Sequence, residues 1–107
     1  MRILIIEDDL DTASYIKRGV GEAGHLADHA ADGRDGLLLA TTEQYDVLII
    51  DRMLPEMDGL TIVKTIRAAE NNTPVLILSA LGKWTTVYRG SKPARMTIWS
   101  NRLPFRN

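Results

Sequence analysis

Ile3-Leu4-Ile5-Ile6-Glu7-Asp8-Asp9 and Val47-Leu48-Ile49-Ile50-Asp51 are the two stretches that decide the fold. Each is a short apolar run, rich in β-branched residues, that ends abruptly in acid. Runs of this length and type read as strands buried on both faces, as in a parallel sheet. If the two strands are neighbours, Glu7, Asp8 and Asp51 meet at one carboxyl edge. Carboxylates crowded in this way repel one another unless a hard cation binds between them. The pattern therefore points to a Mg²⁺ site with a nucleophilic carboxylate.

Working outward, helical and strand patterns alternate. Arg2 to Ile6 reads as a strand, and Asp9 to about Ala23 as a helix with Leu10, Ala13, Ile16 and Val20 on one stripe. His25 to Ala30 reads as a short polar edge strand, and Asp32 to Glu43 as a helix carrying Leu37, Leu38, Leu39 and Ala40. Tyr45 to Asp51 is a strand, Arg52 to Asp58 a loop, Gly59 to about Glu70 a helix, and Val75 to Ser79 a fourth strand. This β-α-β-α-β-α-β order predicts an α/β fold: a doubly wound parallel sheet with right-handed crossovers and helices on both faces. Ligands of such sheets bind beyond the carboxyl ends of the strands, where Glu7, Asp8 and Asp51 sit. After Ala80 the periodicity collapses, with Gly82, Gly90, Pro93 and Pro104 as breakers. Leu81 to Asn107 is expected to be irregular, with Met96 to Trp99 the one weak strand candidate, leaving the fourth strand as a poorly covered edge.

Composition narrows the function. With 107 residues, 45% hydrophobic and 25% charged, the chain fits one globular domain. It has no cysteine, which excludes disulfides and thiol chemistry. No apolar run approaches the roughly 20 residues of a membrane span, and no signal peptide opens the chain, so a cytoplasmic location away from membranes is expected. The net charge of −1 conceals a division. Residues 1–70 hold all 14 acids and 7 of the 13 basic residues, whereas residues 71–107 hold no acid and six bases. Both tryptophans, Trp84 and Trp99, and the single phenylalanine, Phe105, also fall in the second part.

The acids divide into roles. Asp51 is the carboxylate nucleophile, forming an acyl phosphate. Asp8 and Asp51 supply Mg²⁺ oxygens, and Glu7 holds the metal or its water from the outer coordination sphere. The metal neutralises charge during phosphoryl transfer. Ser79, closing the fourth strand, offers a hydroxyl to the phosphate or is a plain strand-end serine. Asp9 is as well explained as a helix start, where acids suit the dipole.

The segment Met1 to Ala80 resembles the receiver domain of bacterial two-component response regulators. The resemblance is carried by ILIIEDD (Ile3 to Asp9), DVLIIDRMLPEMDG (Asp46 to Gly59) and TPVLILSA (Thr73 to Ala80), in this order and spacing. It implies a flavodoxin-like fold with strand order 2-1-3-4 in chain numbering, a fifth strand being in doubt. It implies that Asp51 accepts phosphate from a sensor histidine kinase, that Glu7 and Asp8 form the acidic pocket, and that the Met53 carbonyl joins Asp8 and Asp51 on Mg²⁺. Ser79 matches the family's hydroxyl switch. Such a chain is a signalling module rather than a classical enzyme, with at most weak self-phosphorylation and dephosphorylation chemistry. The motif wording is most similar to transcription regulators with a C-terminal winged-helix domain. The 107 residues hold no such domain, so direct DNA binding is not expected of this chain.

The departure begins at about residue 83. The family continues with further helices and a strand, and places the lysine of a Lys-Pro pair against the phosphate. Here Lys92-Pro93 comes only 41 residues after Asp51 and reads as a chance match, and Tyr88 stands too early for the family's aromatic switch. A shifted reading frame accounts for this. Suitable codons for Arg95 to Arg102, read two bases late, encode Asp-Asp-Tyr-Leu-Val-Lys-Pro, the family's missing motif. The expected organisation is a receiver core over 1–83 and a basic, out-of-frame tail over 84–107, with signalling output impaired and the dimerisation surface lost. The rival function is nucleic-acid binding by that tail, with Trp84, Tyr88, Trp99 and Phe105 stacking bases among cations. An aspartyl phosphatase needs a second aspartate two residues after the nucleophile, where Met53 stands. Gly19 to Gly24 fits GxGxxG but closes a helix, the reverse of a dinucleotide-binding context. His25 and His29, about 13 Å apart on an extended strand, are too distant to share a metal.

Overall fold

In the computed structural model the described residues are 1–78 with their side chains, and the backbone of 83–89, 92–93 and 98–100. The elements run β1 (Arg2–Ile6), α1 (Leu10–Glu22), β2 (Leu26–Ala30), α2 (Gly33–Thr42), β3 (Val47–Asp51), α3 (Gly59–Ala68), β4 (Val75–Leu78), β5 (Lys83–Arg89), β6 (Lys92–Pro93) and β7 (Ile98–Ser100). The sheet order is β2-β1-β3-β4-β5-β6, with β7 also on β5. The first four strands are parallel, as expected, in the order 2-1-3-4.

Alternate residues of β1 face opposite ways, as strand geometry requires. Leu4 and Ile6 pack with Leu48, Ile50, Ile62, Val63, Ile66 and Val75 on the α2/α3 side. Ile3 and Ile5 pack with Ile16, Val20, Ile49 and Leu76 on the α1 side. Both faces of the central strands are therefore dry, which is why their sequences are continuously apolar.

The three helices among the described residues start on aspartates. Asp9, Asp32 and Asp58 accept hydrogen bonds from the backbone N–H groups of Thr12, Asp35 and Leu60 respectively, satisfying donors that each helix leaves open. One helix differs from the expected stripe. Leu10 is exposed and α1 docks through Ala13, Ile16 and Val20. The buried face of α2 is small, formed by Gly33, Gly36 and Ala40, while Leu38 is exposed. A Cβ on Gly36 would lie 2.5 Å from Ile6 Cδ1, so the missing side chain is what lets α2 approach β1. α3 ends two residues before the expected limit, because Glu70 adopts φ 61° and Asn71 N–H turns back to the Ile66 carbonyl.

The expected irregular tail and bare β4 edge are corrected. β5 pairs antiparallel with β4, matching Ile77 to Thr85 and Leu78 to Trp84, with an irregularity between Val75 and Leu76. β6 and β7 then pair antiparallel with β5. Lys83-Trp84-Thr85-Thr86-Val87-Tyr88-Arg89 lacks apolar/polar alternation, so it gives no amphipathic signal. Its Trp, Thr, Val and Tyr nevertheless favour extended backbone, and the open edge of β4 supplies the ladder they need. The strand candidate near Met96 to Trp99 is realised as β7, Ile98–Ser100. Lys92-Pro93 forms β6, beyond β5 and β4 from the strand that carries Asp51. Ser79 and Phe105 lie outside the described residues, as do the side chains of Trp84, Tyr88 and Trp99.

Candidate metal and phosphoacceptor site

The site follows from the β1–β3 register. Ile6 pairs with Ile50, so Glu7 and Asp51 are the next residues on two adjacent parallel strands. Asp8 follows in the turn into α1. One oxygen each of Glu7, Asp8 and Asp51 lies within 4.8 Å of the others. Burial is graded across the three: Glu7 is 4% exposed, Asp51 is half-buried and Asp8 is exposed.

The backbone around the acids is tied down. Glu7 N–H donates to the Ala30 carbonyl at 3.0 Å, and His29 Nε2 lies 2.7 Å from the Glu7 carbonyl oxygen. Glu7 Oε1 accepts from Asp9 N–H at 3.0 Å, while Asp9 itself caps α1. Asp9 thus faces the helix rather than the carboxylate cluster. On the β3 side, Asp51 Oδ1 accepts from Met53 N–H at 3.1 Å. Arg52 N–H bonds the Leu78 carbonyl at 3.2 Å and Gly59 N–H bonds the Arg52 carbonyl at 3.1 Å, closing the loop on itself. A Cβ at Gly59 would lie 2.6 Å from the Asp51 carbonyl oxygen, so only glycine permits this closure. Met53 is largely exposed beside the acids.

Electrostatics mark the cluster as unbalanced. Burial pushes the Glu7 carboxyl up to about 8, and the charges of Asp51 and Asp8 and hydrogen bonding with Asp51 push the same way. Among the described residues the Asp9 N–H alone opposes them. The ion pairs of Arg2, with Asp28 and Glu43, use none of the three acids. Crowded carboxylate oxygens with surplus negative charge suit a hard divalent cation, which needs only one or two of them beside its waters, and the donor set fits Mg²⁺. His25 and His29 are not part of it, and β2 begins only at Leu26. The role of the His29 ring beside Glu7 is invisible in the sequence, because it depends on the β1–β2 register; read alone, His29 is an edge residue.

Comparison with known proteins agrees with this geometry. The response regulator receiver domain family matches residues 3–95. The transcriptional activator protein IrlR of Burkholderia pseudomallei is 50% identical over 80 residues, which is 75% of this chain and 34% of that protein. The receiver domain of the Francisella response regulator 1452 superposes with a TM-score of 0.72 at 42% identity, covering 75% of this chain and 66% of that one. The receiver domain of the sensor histidine kinase PA1611 from Pseudomonas aeruginosa PAO1, whose structure has a magnesium ion coordinated in the active-site cleft, gives 0.71 at 31% identity, covering 74% and 66%. The chain spans about a third of the length of the curated relatives it matches. No helix among the described residues is long and apolar enough to cross a membrane. The matched family, the sheet order and the acidic strand ends agree: this chain belongs to the response regulator receiver domain family.

Proposed function

We propose that this chain is a phosphorelay receiver in which Asp51 accepts a phosphoryl group from the phosphohistidine of a sensor histidine kinase. A carboxylate oxygen of Asp51 attacks phosphorus, the P–N bond to the kinase breaks, and an acyl phosphate remains on Asp51. Asp8, Asp51 and the Met53 carbonyl would hold Mg²⁺, with Glu7 in the outer coordination sphere. Bound there, the cation would supply charge neutralisation for the transferring phosphoryl oxygens. Met53 N–H orients Asp51 Oδ1, and the closed loop ending at Gly59 fixes the strand end beneath it. Ser79 belongs to the same reading as the hydroxyl that moves toward the phosphate.

The observation that carries this reading is the convergence of Glu7, Asp8 and Asp51 within 4.8 Å at the carboxyl ends of adjacent parallel strands. The receiver core is taken as 1–83 and the basic stretch 84–107 as out of frame, which impairs output and removes the family's dimerisation surface. The charge break supports it, since no acid follows Glu70. Reading the coding DNA for one inserted or deleted base near the Lys83 codon tests the frame. The activity is tested by Mg²⁺-dependent labelling with acetyl phosphate. Wild type is labelled and Asp51→Asn is not; equal labelling of both rejects Asp51 as the acceptor.

A further inference from the structure

We propose that His29 is a positioning residue for the acidic pocket, holding the Glu7–Asp8 peptide in the orientation that brings Asp8 to Asp51. The proposal rests on the reading of that pocket as a Mg²⁺ site. β1 and β2 pair as far as Ile6 and Ala30, and Glu7 N–H takes the last strand-type bond, to the Ala30 carbonyl. Beyond Ala30 the chain bends away through Ala31 and Asp32 into α2. The next backbone donor that a continuing ladder would offer the Glu7 carbonyl has therefore left the sheet. His29 Nε2, 2.7 Å from that carbonyl oxygen, takes its place. A carbonyl only accepts, so Nε2 carries the proton and the ring acts as donor without needing a charge.

This bond matters because of what the carbonyl belongs to. Glu7 C=O is half of the Glu7–Asp8 peptide, and its direction sets the direction in which Asp8 leaves the strand. Glu7 is then held at three points: its N–H by Ala30, its carbonyl by His29, and its carboxyl by Asp9 N–H. Asp8 is exposed and sits between held residues, so its placement depends on theirs. Partners of metal ligands commonly tune affinity by fixing ligand orientation in this way.

Two variants separate donor from bulk: His29→Phe keeps a ring without a donor, and His29→Gln keeps a donor without the ring. Three quantities are read on the whole chain: the Mg²⁺ dissociation constant by calorimetric titration, the melting midpoint in EDTA, and amide exchange of Asp9 in EDTA. The expected result is Mg²⁺ binding weakened about tenfold in His29→Phe and restored to near wild type in His29→Gln. Asp9 exchange is faster in the Phe variant alone. If the phenyl ring is not accommodated, His29→Leu gives the same comparison. Unchanged Mg²⁺ affinity in His29→Phe and His29→Leu overturns the proposal and leaves the pocket's function standing. Equal weakening in the Phe and Gln variants, tracking the melting midpoint, also overturns it, because the ring then serves packing alone. Absence of Mg²⁺ binding in wild type rejects the function of the pocket itself, and this proposal with it.

Discussion

Glu7 and Asp51 each stand one residue past the last pair of the β1–β3 ladder, Ile6 and Ile50, so the register of the sheet sets the two carboxyls side by side. The hydrophobic pattern that fixes this register also fixes the site. A slip by one residue would misalign the two apolar runs and draw an acidic strand end into the buried layers. The cost of the arrangement falls on Glu7, buried beside two like charges.

That cost predicts a pH dependence. The Glu7 carboxyl is raised from 4.5 to about 8 in the folded, metal-free protein. The folded state keeps a proton that the unfolded chain releases, so this contribution to stability is full below about pH 4.5 and is lost as pH rises through about 8. Binding of a divalent cation displaces the proton. Mg²⁺ affinity is therefore expected to rise about tenfold between about pH 6.5 and 7.5, levelling above 8. Calorimetric titration across that range checks it; a flat profile contradicts the raised carboxyl.

Glu7→Gln removes the charge and keeps the shape. In EDTA at about pH 8.5 the melting midpoint is expected to rise by roughly 4 °C, the relief of about 1 kcal/mol of repulsion. Mg²⁺ affinity is expected to fall in the same variant. A lower midpoint shows that the carboxylate is held favourably and that the cluster stores no repulsion.

Gly59→Ala tests the loop closure under the site. The added Cβ meets the Asp51 carbonyl oxygen at 2.6 Å and Arg52 Cα at 3.1 Å, both backbone atoms. Destabilisation of about 1–3 kcal/mol is expected from such overpacking. Urea unfolding in EDTA measures it, and a change below about 0.5 kcal/mol, the usual effect of a surface substitution, removes the steric argument.

The antiparallel addition is testable by deletion. Removing residues 79–107 strips β5 from β4 and leaves the edge Val75–Leu78 unpaired. Concentration-dependent association, read by sedimentation, is expected of the shortened chain and not of the full one. A shortened chain that stays monomeric and folds cooperatively shows that β4 needs no partner.

The legible and illegible parts of the sequence differ for physical reasons. β1, β3 and β4 were readable because burial on both faces forces continuous apolar runs, and Glu7, Asp8 and Asp51 because acid at a buried strand end is costly. The caps Asp9, Asp32 and Asp58 were each placed at or next to a helix start, but that Asp9 serves α1 and not the cluster is decided only by its bond to Thr12. The docking face of α2 has no clear stripe in the sequence: Gly33, Gly36 and Ala40 are buried, Leu37 and Leu39 pack against the core in part, and Leu38 is exposed. β5 has no periodic signal in the sequence, because its extended state comes from residue preference and the open edge of β4. The contact of His29 with Glu7 depends on pairing between strands far apart in sequence, which no local pattern encodes.

The central claim is that one carboxylate of a cation-binding triad carries the phosphoryl group. Incubation with acetyl phosphate and Mg²⁺, followed by borohydride reduction and peptide mass mapping, locates an acyl phosphate as a homoserine residue. The account predicts that conversion at Asp51 alone, abolished by EDTA. Conversion at another residue, or at Asp51 regardless of EDTA, contradicts it.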